Sequence, residues 1–215
     1  TGMKAQQSQI DTIANNIAQW NGTSWSALGS GIEDGGGRAL ACFDNQLIVG
    51  GNFITTGGVA TYNIARWTDG RWSALNQGLD GAVHAVAARG TNICIAGGFT
   101  NAAGVPANRV ARWNGRSWSA LGSGLNAPVH ALAFEGSNVL AGGSFTNAGG
   151  NSANRIARWN GSNWSALGTG MNDVVRAIAV DGEIAYAGGD FTNAGGIGAN
   201  YIARWNGSTW SGLGA

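Results

Sequence analysis

Short apolar runs alternate with polar, glycine-rich breaks along most of this chain. The clearest stretch, from Val129 to Gly168, carries four such runs: VHALAF, NVLAGG, NRIARW and WSALG. Each is too short for a typical helix and of ordinary length for a strand. Between them lie EGS, FTNAGGNSAN and Asn-Gly turns, residue types that punctuate strands. No stretch of this region sustains a 3.6-residue period. The pattern predicts four antiparallel strands, here lettered a to d.

The unit recurs. The ten tryptophans form five pairs, led by Trp20, Trp67, Trp113, Trp159 and Trp205 and completed by Trp25, Trp72, Trp118, Trp164 and Trp210. Successive pairs are 47, 46, 46 and 46 residues apart. A fixed period in the 40s marks a repeat architecture, and four-stranded units at that spacing are the blades of a β-propeller. A stacked solenoid has shorter repeats and parallel strands, which the hairpin turns here oppose. Phe-Thr-Asn recurs at 99–101, 145–147 and 191–193, a closeness that fits recent duplication or deliberate design.

The turn between strands c and d can be read in register. In Trp113-Asn114-Gly115-Arg116-Ser117-Trp118, a two-residue loop at Gly115-Arg116 puts Trp113 opposite Trp118. Glycine at the first loop position suits a type II′ turn; Asp69-Gly70 in the second copy suits type I′. Each tryptophan pair then lies directly across a hairpin, where aromatic pairs stabilise sheets.

The count of strands is uneven. The repeats begin on strand c at residues 17–20 and run as a half-repeat over 17–36, then as four repeats starting near 37, 83, 129 and 175. Five c–d hairpins face only four a–b pairs. The expectation is an all-β propeller with about five blade positions, the alternative being four blades plus a spare hairpin. The incomplete blade carries open edges that invite pairing, so self-association through it is expected. A second possibility is that residues 1–13 fill the gap.

Residues 1–16 form a segment of different origin. Composition reads 1–18 as a short helical or irregular stretch, with Met3, Ile10, Ile13 and Ile17 near one face. The run Thr1-Gly2…Ala5-Gln6-Gln7…Gln9-Ile10-Asp11…Ile13…Asn15-Asn16-Ile17-Ala18 resembles the N-terminal segment of bacterial flagellar rod and hook proteins, which implies a structural subunit that polymerises. Ala14-Asn15-Asn16-Ile17-Ala18 also matches the repeat's own Ala153-Asn154-Arg155-Ile156-Ala157, so two motifs coincide at the seam. The repeat itself, of the type I-A-R-W-N-G-x-x-W-S-A-L-G, resembles bacterial secreted or surface propeller repeats over residues 17–215. It is loosely similar to Kelch-like repeats of fungal cortical polarity proteins. That resemblance implies an extracellular or cell-surface setting.

Composition narrows the function classes. Charged residues are 11% and the net charge is +1, so no strong attraction to nucleic acid or an anionic membrane is expected. No apolar run approaches a membrane span. Cys42 and Cys94, far apart in sequence, are expected to be small buried hydrophobes. No cofactor or metal is expected: acidic residues do not recur in pairs, and neither a phosphate loop nor a nucleophile elbow occurs. Asn-Gly-Ser/Thr at Asn21, Asn160 and Asn206 reads as turn chemistry.

Three recurrent positions are candidate sites. Trp67, Trp113, Trp159 and Trp205 either stack on sugars, making a multivalent lectin, or pack between blades. The arginines before them, Arg66, Arg112, Arg158 and Arg204, either join such a ligand site or bond blade edges and stack on aromatics. Arg38, His84, His130 and Arg176 recur on strand a, where they could ring a central channel and meet an anion. The expected function is a non-enzymatic binding or scaffold module, with a glycan or protein ligand as possible partner. The alternatives are a lectin and a flagellum-related or cell-surface structural subunit.

Overall fold

A computed structural model describes residues 14–213, and the segment expected to be helical or to fill the gap lies, up to residue 13, outside them. The described chain forms four four-stranded antiparallel sheets, one lone c–d hairpin and four small two-stranded sheets. Blade 1 runs Gly36–Phe43 (a), Gln46–Asn52 (b), Ile64–Thr68 (c) and Arg71–Ala74 (d). Blade 2 starts at Val83–Arg89, blade 3 at Val129–Glu135 and blade 4 at Val175–Asp181, each in the order a-b-c-d. In front of blade 1 stand, among the described residues, only strands c and d of a half-blade, Ala18–Trp20 and Trp25–Ala27.

The hairpin register is as the turns predict. Trp20 pairs with Trp25, Trp67 with Trp72, Trp113 with Trp118, Trp159 with Trp164 and Trp205 with Trp210. Ring centroids in these pairs are 5.1–5.5 Å apart and tilted. Asp69 and Gly70 both have positive φ, as type I′ requires, whereas only Gly115 does so in the third copy, as type II′ requires. The asparagine before the loop adds its own lock: Asn114 Oδ1 accepts from the backbone N–H groups of Arg116 and Ser117, both at 2.9 Å. Asn21, Asn160 and Asn206 do the same.

Blades pack face to face through complementary surfaces. Glycines near the end of strand b admit branched residues of strand a on the next blade. A Cβ placed on Gly142 of blade 3 would meet Val175 Cγ1 at 2.5 Å and Ile178 Cδ1 at 3.0 Å on blade 4. Gly50 is equally close to Val83 and Val86 of blade 2. Strand a of each blade lies beside strand a of the next, from Gly36–Phe43 through Val83–Arg89 and Val129–Glu135 to Val175–Asp181.

Two local expectations need correction. The helix does not extend over residues 14–18: Asn16 has φ 59°, and Ala18 is already in strand c. Asn15 and Asn16 do the work of their repeat counterparts instead. The Asn15 side chain donates to the Ser30 carbonyl, as Asn108 does to Ser123 and Asn154 to Thr169. The propeller geometry therefore starts by Asn15, inside the segment assigned above to 1–16. The FTNAGG stretches, read as loops, also form small two-stranded hairpins, such as Asn101–Ala102 with Val105–Pro106. Each leads out from a fully buried phenylalanine: Phe53, Phe99, Phe145 or Phe191.

Candidate functional site

The candidate tryptophans lie between blades. Trp113 and Trp205 are buried, and Trp67 and Trp159 are half-buried. Their partners across the hairpin tie neighbouring blades together. The Trp72 indole Nε1–H donates to the Leu28 carbonyl at 2.8 Å, Trp118 to Leu75 at 3.4 Å, Trp164 to Leu121 at 2.7 Å and Trp210 to Leu167 at 2.8 Å. Each bond crosses from strand d of one blade to the end of strand d in the preceding one. A buried indole N–H needs such a partner, and the bond fixes the distance between blades. Because Leu28 belongs to the half-blade, that hairpin sits in a true blade position. The structure thus has five positions, four of them complete.

The arginines bind locally. Arg66 Nε donates to Ser73 Oγ at 3.1 Å, and Arg112 Nε to Asn92 Oδ1 at 2.8 Å. Arg158 pairs with Glu135 at 2.5 Å. Arg204 sits across from Tyr186 on blade 4. The acceptors are side chains of the same blade rather than the blade-edge carbonyls expected. A different arginine position, unremarked in the sequence reading, reaches carbonyls: Arg155 donates to the Ser144 carbonyl at 2.8 Å from a backbone with φ 65°.

The strand-a residues form a ladder along the inner strands. The His84 and His130 rings stack with centroids 5.3 Å apart. His84 Nδ1 is 3.2 Å from the Val129 carbonyl oxygen, and His130 Nε2 is 3.1 Å from Ser144 Oγ. Burial, then the nearby Arg38 charge, holds the His84 pKa below its usual value, against the bond to Val129. Burial, then His84 and Arg176, lowers that of His130, against the pull of Asp190. Arg176 is engaged by Asp190 at 2.5 Å. Among the described residues no cluster of three or more His, Cys, Asp and Glu is placed to hold a metal.

The half-blade is where the molecule departs from its own pattern. Trp20 and Trp25 are 50% and 63% exposed, while Trp72, Trp118, Trp164 and Trp210 are buried. At the other end, Leu213 is 42% exposed, whereas Leu28, Leu75, Leu121 and Leu167 are buried. Ile202 is exposed, although Ile64, Val110 and Ile156 are fully covered. Cys94 is buried as expected, and burial pushes its thiol up to about 12. Cys42 is exposed, contrary to expectation, because no strand b stands in front of it among the described residues.

A cleft of about 680 Å³ opens between the half-blade and blade 1, lined by Gln19, Leu28, Leu40, Cys42, Leu47 and Trp67 among others. The equivalent space between blades 2 and 3 is lined by Arg112, Leu121, Phe134, Val139 and Trp159, and there Asn92 and Cys94 of strand b also contribute. Its volume is about 50 Å³. The position is the same; the difference is the strand.

Comparison with known proteins agrees with this fold. A family profile described as a domain of unknown function (DUF5122) beta-propeller matches residues 138–165 and 181–207. A profile described as flagella basal body rod protein matches residues 1–23. No curated protein sequence matches. Among solved structures, the chain is similar to the computationally designed Ika8 protein, at 18% identity and TM-score 0.52, over 81% of this chain and 46% of that one. It is also similar to the designed Ika4 protein, at 18% identity and TM-score 0.55, over 80% of this chain and 92% of that one. The chain therefore spans just under half the length of Ika8. These likenesses identify a β-propeller built of repeated blades.

Proposed function

We propose that this chain is a non-enzymatic binding or scaffold propeller that associates with other chains through its incomplete fifth position. One observation carries the reading: the interblade surface repeats through the molecule and, among the described residues, is left uncovered at both ends. Among the described residues Trp25 bonds no leucine carbonyl and no tryptophan lies on Leu213, although each belongs to a set otherwise buried. Exposed apolar surface of this kind, with open strand edges beside it, marks interaction sites. A multivalent lectin needs repeated solvent-facing indoles, and those of Trp67, Trp113, Trp159 and Trp205 pack against neighbouring blades. The proposed setting is extracellular or cell-surface, on the resemblance of the repeat.

Sedimentation of the full chain across a wide concentration range tests the proposal. Concentration-dependent association is expected, weakened by Trp25→Ser. A strictly monomeric chain would overturn the self-association part. Turnover of a hydrolase substrate, lost on changing a named residue, would overturn the non-enzymatic part.

A further inference from the structure

We propose that the half-blade is a slot for a two-stranded β-hairpin of the repeat's own inner type, carried by a partner chain and taken up on the free edge of strand c, Ala18–Trp20. The inference rests on the reading of the chain as a binding scaffold and specifies what its open position accepts.

Blades 1–4 show what fits. Strand c pairs with strand b in the same register each time: Leu47 opposite Trp67, Ile48 opposite Arg66, Val49 opposite Ala65 and Gly50 opposite Ile64 in blade 1. In blade 3 the series is Val139, Leu140, Ala141 and Gly142 opposite Trp159, Arg158, Ala157 and Ile156. An incoming strand of two apolar residues, a small or branched one and a glycine would therefore set its residues against Trp20, Gln19, Ala18 and Ile17. The last residue is small, glycine in blades 1, 3 and 4 and Ala96 in blade 2, since the next blade comes close to Gly50 and Gly142.

The wall opposite is already shaped. Ile48 is 1% exposed and Leu140 is fully covered, each pressed on the following blade. Among the described residues the half-blade has no such residue, and Leu40, Cys42 and Leu47 face the cleft there. On blade 4, Ala177 is exposed while its equivalents Ala85 and Ala131 are buried, and a Cβ on Gly188 meets nothing nearer than 3.7 Å. A second inner strand would be covered on that side. The donor has to be a hairpin not already committed to a blade. All four a–b hairpins of a second copy lie within its own complete sheets, so a copy cannot donate one without opening a blade. The occupant is thus a partner with a spare hairpin of this pattern. Main-chain pairing on the edge would supply affinity, and the side-chain pocket specificity.

The probe is a peptide with the sequence of residues 129–143, added to the full chain, and the readout is native thiol labelling at Cys42. Saturating peptide is expected to slow Cys42 labelling at least tenfold, and a Leu140→Asp peptide to have no effect. Leu40→Asp in the chain is expected to abolish protection. Because a free hairpin peptide can fail to form its strands, the same sequence is also tethered ahead of Thr1 through a flexible linker. Failure of both forms to protect Cys42 would overturn the proposal. So would Cys42 protected in the untreated chain and uncovered on deletion of residues 1–13, since the chain would then fill its own slot. Sedimentation run alongside separates the two readings. Protection by peptide in a monomeric chain sinks self-association alone, and association with Cys42 never protected sinks the hairpin slot alone.

Discussion

The indole of Trp164 donates a 2.7 Å hydrogen bond to the carbonyl of Leu121, 43 residues earlier, and so joins blade 3 to blade 2. Replacing Trp164 with Phe leaves that carbonyl without its donor. The expected cost is about 1–3 kcal/mol in urea unfolding. Trp25→Phe, at the position with no such bond among the described residues, should change stability by under ~0.5 kcal/mol. Equal losses at the two sites would show that the fifth interface is closed.

Glycine on the interblade face offers a second contrast. Gly142→Ala drives a Cβ to within 2.5 Å of Val175 on the next blade and should destabilise by about 1–3 kcal/mol. Gly188→Ala, the same position on blade 4, meets nothing closer than 3.7 Å and should be nearly neutral. Thermal unfolding of the two variants checks this. A large loss at Gly188 would mean that blade 4 has a neighbour on that face.

The stacked histidines make stability depend on pH. Both have pKa values lowered by folding, chiefly through burial. The unfolded chain therefore binds their protons first as pH falls. Their contribution is complete above the unfolded histidine pKa and is lost as pH drops through it toward the folded values. The urea midpoint should be lower at about pH 5.5 than at about pH 8. His84→Gln with His130→Gln should flatten that dependence. Asp80 and Asp34, held low by backbone and hydroxyl donors with burial opposing, add a loss only at more acidic pH.

The propeller and its register were legible because tryptophan spacing and two-residue loops fix strand pairing by geometry. The odd strand count was legible for the same reason. The FTNAGG hairpins were not, since two-residue strands leave no alternation to detect. Nor was the Trp–Leu bond, because its acceptor is a backbone carbonyl, which no residue type announces. Cys42 and Cys94 look alike in the sequence; their fates differ because Cys94, on strand b, is covered by Phe134 and Val139 of the following blade, whereas Cys42, on strand a, faces the preceding position, which has no strand b among the described residues. Asn15 and Asn16 carry a flagellar-type motif yet serve the propeller, since amide side chains suit the left-handed turn and the carbonyl bond required there.

Native-state thiol labelling of the full chain tests the open fifth position most directly. Cys42 should react rapidly, and Cys94, sealed between blades, roughly 10²-fold or more slowly, only through unfolding. Equal protection of both cysteines would contradict the account, because it would place a strand over Cys42 where the structure leaves a cleft.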